Sequence, residues 1–597
     1  MVTRVSVIAV AAVLLLHLLP HAFAYGDGGH GHGDMALPAG ASTASDVNSP
    51  IGNSLSPAPE SYFAYPHLSG FIVAHIVLMT IAWLFILPIS VVLSLARSKL
   101  GLPAQLLFLS VNASGLFLGG IYNRNTPDLY KGNIHHTFGW VVTWIVSAQA
   151  VMGLIRLYAA EKARARASEE EAAFIPVSVT CMAQHRRLHG MREVNPYRYS
   201  NDSGHGTESP TSRCSSMSPA DEPEQEEMLH MYHQRPSGFG GHEKEAPRLW
   251  WRKTALDRFL SRKIPAMVSE QGMSLMNMVY GIVDRLILIL GFVAMATGIV
   301  TFGGIFRGNN VFNGLAHFVK GGIFFWYGML TLGRWMGCFA DIGWAWNVKP
   351  AADVVGRRKA AIPSAEFVES FLIFFYGATN VFMEHMAAWG GAWTAQDLEH
   401  VSISVMFFGG GLCGMLVESK KIRDLLNTSA LTNSGTHGVH PAKELLRAPR
   451  TYAFSVNPLP PLIILLLGFM MSSHHQASVV STMVHKQWGT LFVGASLARA
   501  VSYILTYLSP PTSLLPSRPP SEVITAFCLI SGGLIFMASN KDTVAAMEAY
   551  RLNAMFCFTV TMGLTTFLMA WTILVLAIKG WAVRRAQVPS FNTRISA

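Results

Sequence analysis

Apolar residues in this chain arrive in blocks of roughly 20, the length at which a helix crosses the hydrocarbon core of a bilayer. That recurrence constrains the fold more than any other feature, because a backbone in lipid must satisfy its own N–H and C=O groups and does so as helix. The blocks fall at about 69–95, 104–121, 137–158, 277–300, 314–334, 366–386, 399–417, 461–479, 487–507, 522–538 and 555–578. The expected fold is all-α, a polytopic membrane protein of about eleven transmembrane helices. Charged residues make up only 13% of the chain, against about 25% in soluble domains. A three-helix module (66–158), a long polar loop (159–275), an eight-helix module (276–580) and a short tail (581–597) follow from the spacing of the blocks.

The first residues read as a secretory signal peptide, 1–24: Arg4 precedes the apolar run Val5 to Leu19, and Ala22-Phe23-Ala24 has the small-x-small form of a cleavage site. Residues 25–65 and the 159–275 loop are rich in Ser, Pro, Gly and charge, and both are expected to be disordered. The net charge of +10 does not point to nucleic acid, because the basic residues sit in short loops between apolar blocks. Those loops, with the 159–275 segment and the tail bearing Arg584 and Arg585, assign the basic side to the cytosol by the positive-inside rule. The mature N-terminus is then exofacial and the C-terminus cytosolic, in a membrane of the secretory pathway. The bilayer is the first partner, and the 159–275 loop is where cytosolic partners are expected. Six scattered cysteines with no C-x-x-C pair argue against a disulfide framework and a cysteine zinc site.

With this topology the histidines near helix ends gather on the exofacial side: His67, His75, His135, His136, His317, His385, His400, His474, His475 and His485. Ionisable groups at membrane depth are costly and normally face a bundle interior where they mark a site. Imidazole suits Zn, Cu and Fe, and carboxylates such as Glu384 and Glu399 join or orient such ligands. The alternative is that each imidazole rests separately at the headgroup boundary. If the helix of the 461–479 block ran on unbroken, His474 and His485 would share a face about 16 Å apart, so a turn is required for both to meet one ion. Asp284-Arg285 reads as a local pair at the interface, and Gly409-Gly410-Gly411 as a place of close helix packing.

The first block reads His75-x3-Met79-x3-Trp83-x4-Pro88, which stacks His75, Met79 and Trp83 on one helical face. The third reads His135-His136-Thr-Phe-Gly139, then Gln149. These two patterns resemble the ascorbate-reducible transmembrane b-type cytochromes. The resemblance implies that His75 and His135, with His136 as a substitute for the latter, hold one b-type haem. The family carries a second histidine pair from its second and fourth helices, and here neither 105–121 nor 273–300 contains a histidine. A two-haem relay is therefore not expected.

The Glu384-His385 helix and the His-rich 474–485 turn are similar to the C-terminal module of the fungal Ytp-type membrane proteins, and more distantly to the transmembrane protein forty-five family. That resemblance implies an architecture without a reaction. Two site readings follow. One is a redox protein with a single haem on His75 and His135 or His136. The other is a protein that handles a transition-metal ion (Zn, Cu or Fe) on His385, His400, His474, His475, His485, Glu384 and Glu399. A membrane scaffold acting through its loop is the third reading.

Overall fold

Helix occupies each of the eleven apolar blocks in a computed structural model that describes residues 61–173, 270–308, 310–380, 392–435, 449, 452 and 454–587. The expectations for the signal peptide, for most of the N-terminal tail and for the centre of the long loop lie outside these residues. The helices are α1 Ser69–Leu95, α2 Gly101–Asn125, α3 His135–Ala173, α4 Glu270–Gly303, α5 Asn310–Met336, α6 Ala365–Asn380, α7 Ala395–Glu418, α8 Leu459–Ser473, α9 Val479–Leu508, α10 Pro520–Ala538 and α11 Ala554–Gln587. Eight of the described helices, namely α1–α4, α7 and α9–α11, are long and apolar enough to cross a membrane, and α8 is a shorter apolar helix. The connections hold two further helices of some length, Lys420–Gly435 and Lys541–Ala549, and the short helical turns Ala340–Ile342, Ala352–Val355 and Arg357–Ala360, and the described residues hold no strand.

Several boundaries differ from the sequence reading. The stretch 159–173 is helical, not loop, because Ala, Glu, Lys and Arg are strong helix formers and carry α3 onward past its apolar part. Likewise α4 begins at Glu270, inside the segment read as loop. The end of the N-terminal tail is ordered too: Tyr62 is buried against Tyr122, its hydroxyl accepts from Leu129 N at 3.2 Å, and Phe63 N donates to Phe302 O at 3.0 Å. At the other terminus α11 continues to Gln587, and Ala582 packs on Leu93 and Ala96.

α1 opens into a π-helical segment at Ile81–Ile86, just before Pro88. Proline has no N–H, so it frees the carbonyl four residues back. That carbonyl, Leu84 O, accepts from Trp571 Nε1 of α11 at 2.9 Å. Phe85 meets Trp571 with the rings tilted by 56° and their centroids 5.2 Å apart.

α1 to α4 form one bundle. Trp83, Leu87, Phe108, Val142, Val146 and Ile287, drawn from all four helices, make its apolar core. The sequence division groups α4 with the helices that follow it; its packing runs both ways, Ile287 joining the core of the three helices before it and Phe292 stacking on Phe325 of α5 with ring centroids 5.0 Å apart. α5 to α10 build the second bundle around Trp488, Phe492 and Phe536, with Trp488 and Phe536 stacked at 4.2 Å. Small residues let backbones approach there: a Cβ on Gly321 would fall 2.6 Å from Gly533 O, and one on Gly468 2.6 Å from Gly489 O. In the triple glycine, Gly410 meets Ile463 and Gly411 meets the Phe374 backbone, so helix packing is its role. Because successive helices alternate in direction, His75, His135, His317, His400, His474 and His485 share one end of the two bundles. Asp284, Arg334, Glu366, Glu369, Arg499 and Glu522 share the other.

Candidate functional site

The α1 motif points inward, and each of its members meets a neighbouring helix where that helix carries little side chain. Trp83 donates Nε1–H to Asn112 Oδ1 at 3.0 Å and covers Gly291 of α4; Met79 lies over Gly115. His75 rests on Gly119 of α2, where a Cβ would stand 2.6 Å from Nδ1. His135, at the start of α3, rests on Gly298 of α4, where a Cβ would stand 3.1 Å from Cε1.

Hydrogen bonding fixes the tautomer of both. His75 Nδ1 lies 2.8 Å from Gly115 O, and a carbonyl only accepts, so Nδ1 carries the proton. His135 Nδ1 lies 3.1 Å from Thr297 Oγ1, whose own hydroxyl proton is given to Ala294 O at 2.8 Å. Thr297 therefore accepts, and His135 is also protonated at Nδ1. Each ring keeps its lone pair on Nε2, the form a histidine takes as a metal ligand with an oriented outer partner. Gly139 follows His135 by one turn on the same face, and a Cβ there would meet nothing within 4 Å. Gly139 itself is half-buried, between the partly buried Phe138 and the exposed Trp140. His136 is exposed and does not share this surface.

At the opposite end of the same bundle, side-chain hydrogen bonds close the space between α2 and α4. Gln105 Nε2 donates to Gln149 Oε1 at 3.2 Å, and Gln149 Nε2 donates to Asp284 Oδ1 at 2.6 Å. Ser94 Oγ donates to Asp284 Oδ2 at 2.8 Å. This overturns the reading of Asp284-Arg285 as a local pair. Asp284 is 4% exposed and bonds inward, while Arg285 donates outward to Gly281 O at 2.6 Å. Adjacent helical residues point about 100° apart, which separates them.

In the second bundle the histidines divide. α8 ends at Ser473 and α9 begins at Val479, which supplies the turn that the spacing of His474 and His485 requires. His485 is 7% exposed, donates Nδ1–H to Ser481 O at 2.8 Å and stands edge-on to His317 at 6.0 Å between centroids. His317 likewise donates Nδ1–H to Asn313 O at 2.8 Å. His474 Nδ1 lies 3.5 Å from Glu399 Oε2, and His475 is exposed. His400 is within electrostatic reach of His317. His385 and Glu384 lie outside the described residues, among which no three His, Cys, Asp or Glu side chains converge to hold a metal ion.

The largest polar feature went unread in the sequence. Arg334 of α5 donates to Glu366 Oε1 at 2.9 Å and to Glu369 Oε1 at 2.8 Å, both on α6. Arg499 of α9 reaches Glu369 Oε2 at 3.4 Å, Tyr327 Oη at 3.1 Å and Thr331 Oγ1 at 3.1 Å. The ring of Trp346 lies 4.3 Å from the Arg334 guanidinium. Glu522 of α10 is fully buried, with Oε1 at 2.9 Å from Arg499 Nε. That N–H is not aimed at it, so by alignment neither carboxyl oxygen receives a guanidinium hydrogen bond. The available signal was Arg499, set among apolar residues inside a span, and the spacing of His317, Lys320, Phe324, Tyr327, Thr331 and Arg334 at alternating three and four residues along α5.

Two helical bundles with inward histidines, with the last span bonded to the first beside its proline, define a polytopic α-helical membrane protein. The chain belongs to the YTP1-like family of fungal membrane proteins. Residues 290–580 match the family described as "Protein YTP1-like, C-terminal", and residues 56–159 match a domain of unknown function, DUF2427. The chain is 34% identical over 523 residues to "Uncharacterized membrane protein C3B8.06" of Schizosaccharomyces pombe, covering 87% of this chain and 96% of that one. It is 39% identical over 318 residues to "Uncharacterized membrane protein YCR061W" of Saccharomyces cerevisiae, 52% of this chain and 49% of that one. It is 22% identical over 283 residues to "Protein YTP1" of the same yeast, 47% of this chain and 50% of that one. No solved structure matches.

Proposed function

We propose that the first bundle binds a single b-type haem between His75 and His135 and that the protein acts in electron transfer at one face of a secretory-pathway membrane. The observation that carries this reading is the paired tautomer. Two histidines on non-adjacent helices of one bundle are each protonated at Nδ1 by a fixed outer acceptor, which leaves Nε2 for a metal. The glycine seats at Gly119 and Gly298 hold the two rings, and Gly139, one turn beyond His135, carries no side chain that would crowd a group there. A haem so held supplies reversible one-electron chemistry at iron. The protein's part is to fix both ring planes through Gly115 O and Thr297 Oγ1 and to keep the site apolar through Trp83 and Phe108. The Gln105–Gln149–Asp284 network closes the place where a second group would sit, so the reading is for one haem. The positive-inside pattern puts the site on the exofacial side, with the C-terminus cytosolic.

The test is an absorption spectrum of the full chain purified from haem-replete cells. A reducible Soret band that is lost in His75→Ala and in His135→Ala, and kept in His136→Ala, is expected. A colourless wild-type preparation rejects the reading. The close approach of His317 and His485, both with Nε2 unprotonated, favours a second reading for the other bundle: a transition-metal ion (Zn, Cu or Fe) near His400, His474 and Glu399. Metal analysis of wild type against His485→Ala checks it, and equal content refutes it.

A further inference from the structure

We propose that the second bundle contains a proton-binding site seated on Glu522, formed where two guanidiniums face three buried carboxyl groups. The argument begins with charge count. Arg334, Arg499, Glu366, Glu369 and Glu522 are each no more than 6% exposed, and if all five were ionised one negative charge would stand in excess. An excess charge without water is resolved by taking up a proton, because burial penalises the charged form.

Hydrogen bonding decides which carboxyl takes it. Glu366 and Glu369 each receive a direct bond from Arg334, and donors of this kind favour the carboxylate. Glu522 is the most enclosed of the three; no guanidinium N–H is aligned on its two oxygens, and the side-chain donor beside them is the neutral Ser502 hydroxyl, which also meets Ser521 Oγ at 2.6 Å. The position of Glu522 in the first turn of α10 and the nearness of Arg499 both favour the anion. Arg499, however, already spends its aligned N–H groups on Tyr327, Thr331 and Glu369.

The groups facing this site from each packed element leave the count unchanged. α5 presents Tyr327, Thr331 and Arg334, α6 presents the two glutamates, and α9 presents Ser496, Arg499, Ser502 and Tyr503. α8 contributes only the apolar Pro461 and Ile464. Glu418 of α7 lies one layer out, where the Ser364 and Ser455 hydroxyls donate to it at 2.7 and 2.6 Å. A small, mostly apolar cavity lies on the Arg499 side of the cluster, with Tyr327, Ser496 and Thr525 among its lining residues. Ionisable groups buried within a membrane bundle are the usual seats of proton uptake and release.

The experiment is infrared difference spectroscopy of the full chain in lipid nanodiscs at neutral pH, wild type minus Glu522→Gln. The glutamine copies a protonated glutamate in shape and charge, so this variant is expected to fold. The expected spectrum shows loss of the carbonyl stretch of one protonated carboxylic acid, whereas Glu366→Gln removes carboxylate stretches instead. In Glu522→Asp the acid carbonyl band is expected to move, not vanish, which gives the same answer if the glutamine variant is not recovered. Loss of carboxylate stretches in Glu522→Gln, or a moved carboxylate band in Glu522→Asp, overturns the proposal.

Discussion

Replacing Gly119 by alanine tests the seat of His75 without touching a ligand. The added methyl would stand 2.6 Å from His75 Nδ1, 2.9 Å from Cε1 and 3.2 Å from Cγ. Ordinary contact begins at 3.4 Å, so the imidazole must retreat by about 0.8 Å. That retreat carries Nδ1 away from Gly115 O, now at 2.8 Å. Overpacking of this kind costs about 1–3 kcal/mol, and loss of the hydrogen bond adds about 1 kcal/mol. Alanine regains about 1 kcal/mol of helix propensity. The net expectation is destabilisation by about 1–3 kcal/mol, together with loss or displacement of the haem absorbance. Gly120 is the internal control, since it is exposed and a Cβ there meets nothing within 4 Å. Gly120→Ala keeps only the propensity gain and is expected to be neutral or stabilising by up to about 1 kcal/mol. Unfolding of both variants in detergent micelles, followed by helical signal and by absorbance, separates them. Equal stability and equal spectra in the two would refute the claim that Gly119 is a seat for His75.

Three other outcomes follow from the packing. Trp571→Phe leaves Leu84 O without its donor and is expected to cost about 0.6–1.7 kcal/mol. The same change in a Pro88→Ala background is expected to cost less, because residue 88 then supplies its own N–H; equal costs in a double-mutant cycle would refute the pairing. Arg334→Ala strands Glu366, leaves Glu369 with Arg499 alone and is expected to destabilise by about 3–5 kcal/mol, read as thermal unfolding and yield, with wild-type behaviour as the refuting result. Asp284→Leu in the first bundle leaves Gln149 and Ser94 without their acceptor and is expected to cost about 1–3 kcal/mol while leaving the haem band in place, since His75 and His135 sit at the other end; loss of the band with folding intact would count against their separation.

The span positions were legible because apolar length is a one-dimensional property, and a bilayer fixes the length required. Partnership between spans was not. α4 follows a long polar segment in sequence, yet its Asp284, Gly291, Thr297 and Gly298 address α1 and α3, and hydropathy says nothing about which neighbour a helix face meets. The inward face of His75, Met79 and Trp83 was legible because a four-residue step repeats along it, whereas the hydrogen-bond partners of His75 and His135, a backbone carbonyl and a threonine, carry no sequence signature. The buried cluster was missed for a different reason. Arg334, Glu366 and Glu522 stand near helix ends, where charges ordinarily meet water, so only their inward direction in three dimensions distinguishes them. Polarity at the ends of 159–275 misled in the other direction, because alanine and glutamate continue a helix as readily as they leave a core.

The bond from Trp571 to Leu84 joins residues 487 positions apart. During synthesis the carbonyl opened by Pro88 enters the bilayer long before the indole that answers it has been translated. The first span must therefore wait with an unanswered dipole, turned to a neighbouring helix or a water, until the final span is released. A ribosome-stalled chain ending before residue 571 should show α1 more open to hydrogen exchange near Leu84 than the finished protein does.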